Sequence, residues 1–142
     1  MCDENDQIGE EEFLLRRFPP VRDYYNPSAN PPISVIVFRP FDDDTDGLSL
    51  YRAGCCTVSE LARAHAKPNK CYIVSLNARD IYSLGLSIRS DPQPGPKGHC
   101  IIPELSISNY KSNKLWGKEI LLKLAKLASN NVLYTPESSL AL

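Results

Sequence analysis

The stretch Ile33 to Phe41, ISVIVFRPF, carries the strongest β-pattern in the chain. It is β-branched and aromatic and almost continuously apolar, which is how a central strand covered on both faces reads. Asp42-Asp43-Asp44-Thr45-Asp46-Gly47 follows, rich in residues that bond their own backbone or accept a positive φ. Leu48 to Arg52 (LSLYR) then alternates apolar and polar residues. Strand, turn and strand predict a hairpin over residues 33–52.

Downstream, Thr57 and Glu60 make an S/T-x-x-E capping box before a helix over Thr57–Ala66, and Pro68 prevents its continuation. Cys71 to Leu76 (CYIVSL) is a third strand. Asn77 caps a short helix over Ala78–Leu84, with Asp80 in its first turn and Gly85 just past its end. Leu86–Arg89 is a fourth strand. After a loop with three prolines, His99–Ile107 resumes extended structure, with Pro103 implying an edge or a bulge. A helix from Lys114 to Ser129, capped by Asn113, closes the pattern, with Trp116 assigned to the core.

Upstream, residues 13–32 hold aromatic and aliphatic side chains among five prolines and read as an irregular arm docked on the domain. Residues 1–12 carry six acids and no base, and read as a disordered tail. The expected organisation is tail 1–12, arm 13–32, one domain over 33–130 and a flexible tail over 131–142. The expected fold class is α+β, with a mixed or antiparallel sheet of about five strands and two to three helices, in the order arm-β-β-α-β-α-β-β-α.

The chain has 142 residues, 16 Lys+Arg against 17 Asp+Glu, and a net charge of −1. That balance excludes a nucleic-acid binder held by overall charge. It also conceals an uneven distribution: beyond residue 12 the net charge is +5, and residues 97–126 hold six Lys and two acids. No apolar run is long enough to span a bilayer. The five cysteines (Cys2, Cys55, Cys56, Cys71, Cys100) have no C-x-x-C spacing, so free thiols and a cytoplasmic location are the expectation.

Asp42-x-Asp44-x-Asp46-Gly47 resembles the opening of a calcium loop, but its twelfth position is Ala53, which cannot close the site. The cysteines and His99 lack zinc-ligand spacing, so neither metal nor cofactor is expected. No phosphate-binding, dinucleotide, nucleophile-elbow or zincin motif is present. Two candidate sites remain. Lys114, Lys118, Lys123 and Lys126 on the last helix would bind an acidic partner, or be masked by the acidic tail. The partner expected is another protein, with RNA as a further possibility, no membrane, and an oligomeric state that the residues do not specify.

Arg39, Arg52, His99 and Glu104 form the alternative site. A carboxylate base, an imidazole acid and guanidinium groups on phosphate would suit a metal-free enzyme acting on RNA or a ribosyl group. That reading requires the four side chains to meet in one pocket. The favoured expectation is a small interaction or regulatory module.

Overall fold

The computed structural model describes residues 2–65 and 67–136. Its centre is one antiparallel sheet in the order β4-β5-β2-β1-β3-β6. The strands are β1 (Phe13–Phe18), β2 (Leu48–Arg52), β3 (Tyr72–Asn77), β4 (Arg89–Ser90), β5 (His99–Ile102) and β6 (Val132–Tyr134). Four helices accompany them: α1 (Val58–Arg63), α2 (Ala78–Ser83), α3 (Ile107–Ser112) and α4 (Lys114–Ala128). The α+β class is as expected, with one strand and at least one helix more. No helix among the described residues is long and apolar enough to cross a membrane.

The period-two alternation of the strands divides the core between two faces. Leu14, Leu50, Val74, Leu76 and Ile102 point to one face, where Val37, Phe38, Ile120, Leu121 and Leu124 complete the larger cluster. Leu15 and Ile73 point to the other, under Leu61, Ala62, Cys56 and Cys71.

The decisive stretch is not a strand. Within Ile33–Phe41, Val35–Phe38 form a 3-10 helix: the Ser34 hydroxyl accepts the Ile36 N–H, and the Arg39 N–H closes on the Ile36 carbonyl. Only Ile33 keeps β character, as an isolated bridge to Tyr25. Pro31 and Pro32 before it and Pro40 after it bracket the run with residues that cannot donate to a ladder. The expected hairpin therefore does not exist.

The central position belongs to β1, in the segment read as an arm. Phe13 to Phe18 pair with Asn77 to Tyr72 on one side, and Leu14 and Leu15 with Arg52 and Tyr51 on the other. Arg16 is fully buried there. Its Nε donates to the Val37 carbonyl at 3.1 Å and its Nη1 to the Ser49 carbonyl at 2.9 Å. Burial lowers its pKa, with the Asp44 charge acting in the opposite direction. One side chain thus supplies the donors that the carbonyls of a non-strand segment would otherwise lack.

The acidic segment is not disordered either. Cys2 is disulfide-bonded to Cys55 and Ile8 is buried. The Tyr82 hydroxyl donates to the Ile8 carbonyl at 2.6 Å, and Glu12 grips Arg52. The domain therefore begins well before residue 33. At the other end β6 extends the sheet, so the expected flexible tail is ordered through residue 136; residues 137–142 lie outside the described ones.

Elsewhere the outcome is closer. The Thr57–Glu60 capping box forms with both reciprocal bonds, and α1 ends at Arg63, with Ala66 outside the described residues. Asn77 caps α2 as expected. β4 is displaced to Arg89–Ser90, and Pro103 starts a 3-10 turn (Pro103–Leu105) that ends the extended segment and leads into α3. Asn113 makes no side-chain cap on α4.

The thiol expectation divides. Cys56, Cys71 and Cys100 are buried and free, and burial pushes the Cys100 thiol up to about 12. Cys2–Cys55 is a cross-link, which a reducing compartment rarely maintains. Across a separation of 53 residues it is worth about 4 kcal/mol in the chain-entropy account. Thiol titration with DTNB should find no reactive thiol in the native protein, three in denaturant and five after reduction. Five in denaturant alone would show that the cross-link is not formed.

Candidate functional site

The basic helix α4 buries Gly117, Ile120, Leu121, Leu124, Ala125 and Ala128, an i, i+3, i+4 stripe against the sheet and the 3-10 helix. Gly117 is required by its neighbour: a Cβ there would lie 2.7 Å from the Tyr110 ring. Tyr110 packs closely against α4, and the Arg39 guanidinium stands over its ring, 5.8 Å from the centroid.

Beside this stack lies an apolar groove of about 420 Å³, lined by Val35, Ile36, Arg39, Tyr110, Lys118, Leu121 and Leu122. A second depression continues it past Phe41, Ile107 and Lys111. Val35 (38%) and Leu122 (38%) in the groove and Phe41 (47%) in its continuation are exposed, and Leu115, one turn back on α4, is 83% exposed. Trp116, expected in the core, is 37% exposed on α4. Large apolar side chains presented together in this way mark interaction surfaces.

The charge along α4 is mostly positive, with Glu119 its one acid. Among the described residues no carboxylate comes within ion-pair distance of Arg39, Lys114, Lys118, Lys123 or Lys126. Lys118 lines the groove, and Lys114 follows it one turn back, beside Leu115 and Trp116. Lys123 and Lys126 are exposed further along the helix. The acidic segment does not mask them, because it is committed to Arg52 and α2. Lys111 approaches Asp42 at 3.9 Å with both side chains largely exposed, a weak contact at the groove's acidic end.

The four residues of the alternative site are dispersed. Arg39 belongs to the groove. Arg52 faces the larger core side of the sheet and is saturated: Nε and Nη2 each reach Glu12 at 2.8 Å, and Nη1 donates to the carbonyls of Asp3 and Asp6. His99 pairs with Tyr51, one residue out of phase with Arg52, and so points to the opposite face. Glu104 accepts the Ser87 N–H at 2.8 Å and its hydroxyl at 2.6 Å, closing a loop. Arg39 and Arg52 form no common basic spot, since the hairpin that would have aligned them is absent. Among the described residues no three His, Cys, Asp or Glu side chains gather to hold a metal ion.

Tyr110 and Gly117 escaped the sequence reading, because their significance is a contact between two helices of which only one was expected. Asp91, the actual partner of His99, also escaped. It is joined to it across the proline loop, with the Asp91 N–H on the His99 carbonyl at 2.9 Å. Comparison with protein-family models, with curated proteins and with solved structures finds no match for this chain. Fold and site together define a small antiparallel α+β domain with an open, cation-rimmed apolar face.

Proposed function

We propose that this protein is an interaction module that docks an acidic amphipathic segment of a partner protein in the groove between the 3-10 helix and α4. The observation that carries the reading is the conjunction of an exposed apolar floor with a rim of cations that no carboxylate of the described residues neutralises. Apolar residues of the partner would cover Val35, Ile36 and Leu122. Its acids would meet Lys114, Lys118 and Arg39, setting orientation and on-rate more than affinity. An amphipathic helix in such a groove is a recurring recognition mode.

A fluorescein-labelled synthetic helix with leucines on one face and glutamates on its flanks should bind with a rise in anisotropy, with affinity falling as salt rises, and a labelled single-stranded RNA is titrated alongside it. Leu122→Asp should weaken binding about tenfold or more, and Lys118→Glu should weaken it while flattening the salt dependence. If single-stranded RNA saturates the signal and the acidic helix does not, the partner class is wrong. If neither changes it, the docking reading fails.

A further inference from the structure

The side of the sheet away from α4 holds a hydrogen-bonded array that the docking face does not use. His99 Nδ1 lies 2.9 Å from the Asp91 carbonyl and 3.1 Å from Asp91 Oδ2, and Nε2 lies 3.1 Å from Ser49 Oγ. A carbonyl oxygen can only accept, so Nδ1 carries the imidazole proton and Nε2 presents its lone pair. The Ser49 hydroxyl must then donate to Nε2. This is the order of nucleophile, general base and orienting acid, assembled from three strand ends rather than from a sequence motif.

The surroundings hold the array in place. The Ser49 carbonyl is fixed by Arg16, and the Tyr51 ring meets the imidazole edge-on at a centroid distance of 5.2 Å. His99 is nearly fully buried, whereas Ser49 and Asp91 are partly open to solvent. Arg17 lies on the same face, two residues from Leu15, and the Leu15–Tyr51 pairing continued by two positions brings it opposite Ser49. Its Nε and Nη2 are buried with no hydrogen-bond partner. The Arg17 guanidinium lies against the Cys71 thiol, toward the far end of β3.

We propose that Ser49 is an acyl-accepting nucleophile, with His99 as its base and Asp91 as the group orienting His99, acting on small activated carboxylic esters. Ser49 Oγ bonds to the acyl carbon while its proton passes to His99 Nε2. The carbonyl oxygen takes the negative charge. As that charge returns, the carbon–oxygen bond to the alcohol breaks and the alcohol leaves with the proton from His99. Water then attacks the acyl-serine with His99 again as base, releasing the carboxylic acid and restoring Ser49.

The test uses the full chain, a biotinylated fluorophosphonate and p-nitrophenyl acetate. The probe should form one adduct, mapped by peptide mass spectrometry to Ser49, and the ester should give a burst of one equivalent of nitrophenol. Ser49→Ala should abolish both, and its melting curve shows whether the fold is retained. His99→Gln should slow labelling about 10²–10⁴-fold, and Asp91→Asn should slow it less. An adduct elsewhere, ester hydrolysis undiminished in Ser49→Ala, or a folded wild-type protein giving neither adduct nor burst would overturn the proposal and leave Ser49 as a structural partner of His99. The docking reading stands or falls separately, since no residue is shared.

Discussion

Arg52→Met is expected to lower the unfolding free energy by about 3–5 kcal/mol, the range for removing one partner of a buried ion pair. The guanidinium is 7% exposed and is bonded to a carboxylate and to two backbone carbonyls. Methionine would fill its volume but remove both guanidinium bonds from Glu12 and one donor from each of the Asp3 and Asp6 carbonyls. The N-terminal segment should then become more open to protease, held by the Cys2–Cys55 bond, Ile8, its backbone bonds to α2 and the Glu4 contacts to Ser90 and Gly98. Burial raises the Glu12 carboxyl, but hydrogen bonds from Arg52 and the Gly9 N–H outweigh it and hold the group below its ordinary 4.5. A depressed folded-state pKa contributes stability above the unfolded value that is lost as pH falls through the folded one. Urea melts should therefore show a large gap between wild type and Arg52→Met at neutral pH, narrowing below about pH 4. A gap that is small at neutral pH, or independent of pH, would contradict this account.

That pair also explains why the acidic segment was illegible. Six acids in twelve residues read as a solvated tail because composition treats each charge as facing water. One buried Arg and one disulfide reverse the outcome, and both are pairings across more than thirty residues. The double Arg in FLLRRF had the same effect on β1, since two cations break the apolar alternation of a central strand. In the fold Arg16 is buried against carbonyls and Arg17 lies on the opposite face. Several local signals held, although the Ile33–Phe41 pattern and the Asn113 cap, equally local, did not. The Thr57–Glu60 box, the Asn77 cap, LSLYR and the terminal basic helix all depend on neighbours within about one turn or one strand.

The candidate site was legible to the same extent. Lys114 and Lys118 could be placed from their helix, but the groove they rim is made by residues 35–39, whose strand pattern concealed a 3-10 helix. His99 was recognisable as a histidine needing partners. Its partners Ser49 and Asp91 come from β2 and from the residue after β4, and the one in β2 depends on sheet order.

Phe38→Ala should cost about 3–5 kcal/mol, the usual range for deleting a buried aromatic ring. Phe38 is fully buried and belongs to the 3-10 helix that packs on α4. Its ring anchors a segment that no sheet ladder holds: the backbone bonds there are the Ser34 cap, the short closure onto Ile36 and the Arg16 bond to Val37. Removing the ring leaves a cavity beneath the groove floor, so groove binding should weaken along with stability. Val35→Ala separates the two effects. Val35 is 38% exposed on the groove wall, and truncating it should change stability by no more than about 0.5 kcal/mol while still reducing affinity for the acidic helix. If Phe38→Ala destabilises the protein but both variants bind the acidic helix as wild type does, the groove is not the docking surface. If Phe38→Ala is near neutral, the 3-10 helix is not anchored in the core and the packing described for this face is wrong.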